Sequence, residues 1–476
     1  MNFRRSFPQF ILPATAAFAF LWALARACVQ SITIDEADTY LVWVARHDPS
    51  QWEAASNNHV LNSLLMRLFT SVFGVSHLTV RAPALLGAAL YIAASFWLCR
   101  KLTPELRVQW PVFVCLVYNP FVFDHLVAAR GYALALGFLM AMLCVAAYSG
   151  LDAVACAVCS VCAALSFAAN FSFAFADLFA LLAILTWACA RTQAIQTRAR
   201  LVGACVLPGL LVSVFLSVPV VLHWPKGQLG YGAHSLGEMF RTVAQASLYR
   251  LNPQIVNPMV YVVLDAIKPR LLPALLLLAA FYWLRFRQPA AGALLAILAA
   301  AVGSHWLLLR WLRVPLPMDR TAIWIVPLCV LAMGVAAVQR RALAWMLYVI
   351  SFYFLLCLRL NYFKEWNWDA DVNRIYPVLA WYNHTYGVRE VASNWLYVSS
   401  LNFYRVQSGR ESFGEIDGPL DLPRDRQLYV LYWPRDEAFV TEQHLRVVYR
   451  APNTEAVVAV RPEAEAAWQS AVSAVR

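Results

Sequence analysis

Apolar runs of about 17–22 residues recur along most of this chain, and runs of that length can cross the hydrocarbon core of a bilayer. Because lipid offers the backbone no hydrogen-bond partners, such runs fold as helices. Hydrophobic residues make up 61% of the 476 residues and charged residues 14%, a more apolar balance than soluble domains have. The pattern predicts an all-α polytopic membrane protein.

Basic residues flank the apolar runs, as cytoplasmic loops do under the positive-inside rule. This placement explains the net charge of +11 without nucleic-acid binding. Arg4 and Arg5 put the N-terminus in the cytoplasm, and no clear cleavage site follows, so the first run is a retained helix. The predicted spans, about eleven, are 10–29, 82–99, 108–127, 132–148, 153–169, 173–190, 201–222, 271–284, 290–309, 321–338 and 342–358.

From residue 359 the chain becomes polar, with mixed charges and many aromatic residues. Val372–Tyr386 has the pattern of an amphipathic helix, and three short apolar runs (428–432, 445–450 and 456–460) read as strands. We therefore predict two domains. Residues 1–358 form the transmembrane domain, with outer loops 30–81 and 223–269, and residues 359–476 form a small α+β domain on the outer side.

All 11 cysteines lie in or beside apolar runs, so no disulfide framework is expected. Cys156, Cys159 and Cys162 repeat at helical spacing within an alanine-rich run and have no histidine nearby. Small residues that let helices pack closely explain them better than a metal site does.

Asp35, Glu36 and Asp38 crowd together directly after the first apolar run. Carboxylates near hydrocarbon are costly, so these need a partner, water or a function. A solvated interfacial loop is the plain interpretation. Further along, apolar residues from Leu64 to Val72 recur every three or four residues, which predicts an amphipathic helix lying along the interface.

The predicted orientation gathers unusual polar residues on the outer side of the membrane. A carboxylate can take a proton from an attacking hydroxyl, and an arginine can bind a phosphate and stabilise its growing charge. Taken singly, Arg130 is explained as an interfacial anchor and His59 as a helix-cap residue. Together they indicate a site for a phosphate-bearing substrate. The candidates are Asp35, Glu36, Asn58, His59, Asp124, Arg130, Lys268 and Arg320.

The order of these motifs resembles the GT-C glycosyltransferases, in particular the protein O-mannosyltransferases and the bacterial aminoarabinose transferase that modifies lipid A. The Asp35-Glu36 pair follows a first span, and Asn58-His59 stands where those proteins often carry His-Pro-Pro or Lys-Pro. Arg130-Gly-Tyr132 resembles an Arg-x-Tyr element, and Pro317–Arg320 resembles a Pro-x-x-Arg stretch. The resemblance covers about residues 10–340. No proline follows His59, which departs from the pattern.

The resemblance implies transfer of a sugar from a polyprenyl-phosphate donor to an acceptor hydroxyl on a lipid, glycan or protein, with inversion. Asp35, Glu36 and Asp124 would be the catalytic residues. Asp35 would be the general base, and Glu36 and Asp124 would shape the binding of acceptor or sugar. No cofactor is implied, and a divalent metal is not indicated. The location would be a bacterial inner membrane, with the C-terminal domain in the periplasm. Substrate-binding residues would be Asn58, His59, Arg130, Tyr132, Lys268 and Arg320.

Two other functions are compatible with a polytopic chain. A transporter or flippase for a phosphorylated lipid or glycan would favour inverted repeats and charges near the middle of the bilayer. No clear repeat is visible, and Asp177 is the main charge within a span. A non-catalytic envelope-assembly protein would not need Asp35 and Glu36 against the first span.

Overall fold

The structure, a computed structural model, describes residues 3–45, 48–49, 52, 54–225, 227–409, 414–418 and 421–463. The chain forms two compact units. The first contains residues 1–25, 53–65 and 81–359, and the second contains residues 26–52, 66–80 and 360–476. The predicted change at residue 358, from the transmembrane domain to a domain on the outer side of the membrane, stays a prediction.

Helices dominate the fold, as the apolar runs predict. In chain order they are α1 (Phe3–Val29), α2 (Ile34–Asp38), α3 (Val60–Phe73), α4 (His77–Leu102), α5 (Leu106–Val117), α6 (Pro120–His125), α7 (Tyr132–Tyr148), α8 (Ala153–Ala169), α9 (Ala174–Ala190), α10 (Ile195–Leu216), α11 (Val218–Val221), α12 (Leu236–Ser247), α13 (Pro258–Phe286), α14 (Pro289–Leu312), α15 (Ile325–Gln339), α16 (Arg341–Leu356), α17 (Val372–Tyr386), α18 (Trp395–Gln407) and α19 (Trp433–Glu442). A π-helix spans Thr39–Val44, and short 3₁₀ helices lie at Phe171–Phe173, Asp319–Ala322 and Asn367–Asp369.

Within the described residues, five helical segments are long and apolar enough to cross a membrane. The helical membrane architecture is therefore confirmed, whereas the count of about eleven spans stays a prediction. The five segments are Phe10–Val29, His77–Leu102, Phe171–Ala190, Ile195–Leu216 and Pro289–Leu312.

The predicted span 108–127 is wrong as a single helix, because the chain breaks into α5 and α6. Asn119 caps α6 by accepting a hydrogen bond from the Phe121 N–H at 3.0 Å, and Pro120 takes the first helical position. Proline suits that position because its fixed φ is helical and its missing N–H needs no partner there. The break is thus encoded by the Asn-Pro pair.

The segment 223–269, predicted as an outer loop, contains α12 and the first turns of α13. The short span predicted at 271–284 is part of α13, a helix of 29 residues. Pro269 and Pro273 lie inside this helix. Proline costs a helix a hydrogen bond but is tolerated where neighbouring helices and local adjustments satisfy the freed groups.

Small residues let α7, α8 and α10 pack closely in the first unit. The Gly209 N–H of α10 donates to Ser160 Oγ of α8 at 2.9 Å. A Cβ at Gly209 would lie 2.5 Å from the Ser160 carbonyl oxygen, so only glycine permits this approach. Cys156 and Cys159 are buried in α8 as free thiols, and Cys162 is half-buried there, as expected of packing residues.

The second unit contains a four-stranded sheet with the order β1-β2-β4-β3. The strands are β1 (Val391–Ser393), β2 (Leu428–Tyr432), β3 (Arg446–Arg450) and β4 (Ala456–Val460). β1 pairs parallel with β2, and β4 pairs antiparallel with both β2 and β3. Every residue of β4 is buried. The three predicted strands and the predicted helix α17 are confirmed, and β1 was missed.

Candidate functional site

The acidic segment after the first span forms the short helix α2 in the second unit. Thr33 begins it with a capping box, in which the Glu36 N–H donates to Thr33 Oγ1 at 3.2 Å and the Thr33 N–H donates to Glu36 Oε2 at 3.0 Å. These bonds satisfy two backbone donors that a helix start otherwise leaves unpaired. Glu36 is fully buried, and one of its carboxylate oxygens accepts the hydrogen bond from the residue that caps the helix.

Asp369, which no pattern in the sequence singled out, lies in the 3₁₀ helix Asn367–Asp369 and bonds the start of α2. Its Oδ2 accepts a hydrogen bond from the Ile34 N–H at 2.7 Å, and its Oδ1 accepts one from the Ser400 hydroxyl at 2.9 Å. Burial raises the pKa of Asp369 well above its ordinary value, and the charges of Asp35 and Glu36 also raise it. The three acids together are called the acidic group below.

Asp35 is the most exposed member of the acidic group. It is partly exposed, whereas Glu36 and Asp369 are 0% and 1% exposed. The Trp366 indole N–H donates to Asp35 Oδ2 at 3.1 Å. A carboxylate has two oxygens and about four acceptor positions. The Trp366 indole therefore orients this partly exposed carboxylate.

Side chains distant in sequence fix the position of α2. The Tyr404 hydroxyl accepts a hydrogen bond from the Ile32 N–H at 3.0 Å and lies 2.8 Å from His77 Nε2. Tyr404 belongs to α18 and His77 to the start of α4. A five-residue helix is too short to be stable alone in water. These contacts, together with Asp369, supply its stability.

A second group of predicted residues lies in the first unit around Tyr132. The rings of His59 and Tyr132 have centroids 5.6 Å apart, and those of His125 and Tyr132 lie 4.9 Å apart, edge to face. Arg130 donates a hydrogen bond to Asn57 Oδ1. The side chains of His59, Arg130 and Tyr132 are buried. The structure thus brings together the Asn58-His59 and Arg130–Tyr132 motifs, and we call this set the histidine–arginine group.

Gly131 makes that approach possible. Its φ of +75° lies in the left-handed region, which glycine adopts at little cost. A Cβ here would lie 2.1 Å from the Ala169 carbonyl oxygen and 3.0 Å from His59 Cβ. A side chain at this position would push α8 and His59 away from the start of α7.

Asp124, predicted as a catalytic acid, forms a buried ion pair in the first unit. Arg359 Nη2 lies 2.5 Å from Asp124 Oδ2, and both side chains are less than 5% exposed. The Tyr249 hydroxyl donates to the same carboxylate oxygen at 2.7 Å, and the Arg359 guanidinium lies 4.5 Å from the centre of the Tyr249 ring. Asn58 also has a partner within the protein, because its Oδ1 accepts a hydrogen bond from the Ser63 hydroxyl at 3.0 Å.

The remaining predicted residues lie on other segments of the first unit. Lys268 is buried on α13 and bonds Asp265 Oδ1 at 2.6 Å, and this bond lowers the pKa of Asp265. Arg320 lies in the 3₁₀ helix Asp319–Ala322, directly before α15. The Asp319 N–H donates to Thr242 Oγ1 of α12 at 3.1 Å, so α12 positions the segment that carries Arg320.

Within the described part of the chain, no group of three or more His, Cys, Asp or Glu side chains is arranged to hold a metal ion. The expectation of a cofactor-free site stays a prediction. The sequence did not indicate the contacts of three residues, Arg359, Tyr249 and Asp369. The hydrogen bonds that join them to the candidate residues or to each other span at least 110 residues. No spacing in the sequence carries that information.

One solved structure has a similar fold along nearly the whole length of this chain. The crystal structure of ArnT from Cupriavidus metallidurans bound to undecaprenyl phosphate matches 95% of this chain and 98% of its own, with 12% identity and a TM-score of 0.52. The apo structure of the same protein matches 94% and 97%, with 13% identity and a TM-score of 0.38. No family model matches the sequence, and no curated protein matches it.

Proposed function

We propose that this chain is a membrane glycosyltransferase that takes a sugar from a polyprenyl-phosphate donor and transfers it to an acceptor hydroxyl at the outer face of a bacterial inner membrane. The observation that carries the proposal is the similarity in fold to ArnT along 95% of this chain. That protein was crystallised with undecaprenyl phosphate, the class of lipid that would leave in the proposed reaction.

In the proposed reaction, the acceptor oxygen attacks the anomeric carbon of the sugar. The bond from that carbon to the phosphate oxygen breaks, and its electron pair leaves with the polyprenyl phosphate. The hydroxyl proton passes to the Asp35 carboxylate. Direct displacement inverts the anomeric centre. The partial exposure of Asp35 and its orientation by Trp366 support its assignment as the base.

We assign the donor phosphate to His59, Arg130 and Arg320, on the order of their motifs in the sequence. Cations stabilise the charge that develops on a leaving phosphate. The histidine–arginine group supports this assignment, because Asn57 and Gly131 hold its members close together. The proposed chemistry needs no cofactor, and loss of transfer after EDTA treatment would show that a metal takes part.

Mass spectrometry of envelope lipids and glycans, from cells with and without the protein, tests the activity and identifies the acceptor. We expect one class of molecule to gain the mass of one sugar only when the protein is present. Purified protein should then move that sugar from a matched polyprenyl-phosphate donor. Identical envelopes, together with no transfer from a panel of such donors, would exclude this function.

The proposed sidedness has its own test. Residues 359–476 should lie outside the cytoplasm, so alkaline phosphatase fused after Arg476 should be active. A reporter that works only in the cytoplasm serves as the matched control and should be inactive at the same position. The reverse result would reverse the orientation and remove the proposed active site from the outer face.

A further inference from the structure

The first unit contains a cavity at the end of α7 that is opposite to the histidine–arginine group. Its lining combines apolar and basic side chains that the proposed reaction does not use. It lies among α4, α7, α9, α14 and α15 and has a volume of about 430 Å³, within the range of small-molecule and lipid sites. Leu98, Leu143 and Leu294 contribute to its walls. Tyr148, which lines it, lies about 24 Å along α7 from Tyr132 at the helical rise of 1.5 Å per residue.

Two cations line this cavity, Lys101 at the end of α4 and Arg191 directly after α9. The Lys101 ammonium lies 5.1 Å from the centre of the Tyr148 ring, and Arg191 Nη1 donates to the Gly150 carbonyl at 3.4 Å. Within the described residues, no acidic side chain lines the cavity and neither cation forms an ion pair with a carboxylate. Glu105, the acid nearest to Lys101 in sequence, pairs with Arg107. Asp152, next to the lining residue Leu151, accepts from the Ala155 N–H at the start of α8.

Aromatic residues show where this end of the unit meets a membrane surface. Trp97 and Tyr148 pack edge to face with centroids 6.0 Å apart, and Trp187 lines the cavity. Trp and Tyr concentrate at the level of the lipid headgroups. The positive-inside pattern predicts that this end faces the cytoplasm. The cavity therefore offers apolar walls below the headgroup level and two cations at that level.

We propose that this cavity binds one anionic phospholipid, with an acyl chain between the helices and the phosphate on Lys101 and Arg191. Basic pockets between transmembrane helices are a recurrent form of anionic-lipid site. The absence of an acidic lining residue among the described ones favours an anion over a zwitterion or an amine. The apolar walls favour a lipid over free phosphate. This site is independent of the proposed transfer reaction.

The full-length protein, purified in detergent, tests the proposal by native mass spectrometry and thermal unfolding. We expect it to retain one phosphatidylglycerol more tightly than phosphatidylcholine of the same chains. Each surface cation contributes about a fivefold increase in affinity for an anionic lipid, so the double variant Lys101→Gln/Arg191→Gln should bind it about thirtyfold more weakly. Inorganic phosphate should not stabilise the wild type.

A matched pair of controls separates this site from general surface charge. Arg200→Gln/Arg341→Gln removes two exposed cations that do not line the cavity and should leave the affinity within about twofold. Ala147→Phe should fill the cavity and weaken lipid binding, whereas Ala342→Phe, on an exposed position, should not. Equal binding of the two lipids by the wild type, or equal losses in the two double variants, would overturn the proposal.

Discussion

Asp124 and Asp369 are both aspartates that are 1% exposed, but their surroundings differ. Asp124 has the Arg359 guanidinium at 2.5 Å, whereas Asp369 accepts from two neutral donors and lies near two further acids. The Arg359 cation compensates the charge of the buried Asp124 carboxylate. Where no cation is present, burial and neighbouring acids raise the pKa of a carboxyl group, a situation that is common in active sites. Two equally buried acids can therefore have opposite electrostatic surroundings.

The largest effect is expected from Asp35→Asn in the acidic group. Asparagine keeps the shape and the bond from Trp366 but cannot take the hydroxyl proton, so the rate of transfer should fall by about 10²–10⁴. The unfolding midpoint should change little, because Asp35 is partly exposed. Asp38→Asn, on the same helix, is the control and should transfer at nearly the wild-type rate. Normal transfer by folded Asp35→Asn protein would remove Asp35 as the base.

Asp124→Asn should act on stability. It leaves Arg359 buried and uncompensated, and breaking such a pair costs about 3–5 kcal/mol. Thermal unfolding in detergent measures the change. The double variant Asp124→Leu/Arg359→Met removes both charges and should recover most of the stability. A stable Asp124→Asn protein with slow transfer would instead restore the catalytic role that the sequence suggested for Asp124.

Asp369→Asn should have a smaller effect that depends on pH. Because the folded-state pKa of Asp369 is raised, the wild type is most stable below the unfolded pKa of about 3.9 and loses stability as pH rises through the folded pKa. Asparagine does not titrate and resembles the protonated acid. The variant should therefore be more stable than the wild type at pH 7.

Unfolding midpoints of both proteins between pH 4 and pH 8 check this difference. The advantage of the variant should shrink as pH falls and disappear near pH 4. A constant difference across this range would show that the carboxyl group does not titrate differently in the two states, and the contrast between Asp369 and Asp124 would then be lost.

Arg359→Lys should have the smallest effect. Lysine keeps the charge near Asp124 but loses the planar contact with Tyr249 and the bond from Arg359 Nη1 to the Cys357 carbonyl at 3.1 Å. We expect a loss of about 1–2 kcal/mol with unchanged transfer, since the two cations are not equivalent at stacked sites. Arg374→Lys is the control, because Arg374 is 54% exposed and lies 3.9 Å from Asp371. Equal losses in both variants would argue against a specific role for the buried pair.

Local patterns predicted much of this molecule. The helical period of α17 and the apolar runs of β2 and β4 predicted both ends of each element as observed. This was possible because the side chains of each element themselves show which of its faces is buried. β1 was missed because three residues are too few to show alternation. The single span predicted at 108–127 was wrong because it was based on apolar content alone. The Asn119-Pro120 pair within it is a helix-start signal.

The candidate site was less predictable, for a different physical reason. Motif order located Asp35, His59 and Arg130, but the contacts that distinguish their roles join segments far apart in the chain. Asp124 pairs with a residue 235 positions later, and Ile34 bonds one 335 positions later. Such pairs depend on the packing of the whole unit, which no local period or spacing records.

The dependence of α2 on Asp369 also has a consequence for biogenesis. At about 5–20 residues per second, translation needs about 20–70 s to make the 335 residues that separate Ile34 from Asp369. During that time the nascent chain has its first helix but lacks the contacts that shape the acidic segment. A ribosome that stops before residue 366 therefore releases a chain that lacks both Asp369 and Trp366, the residue that orients Asp35. Formation of this segment therefore waits until residue 369 has been synthesised.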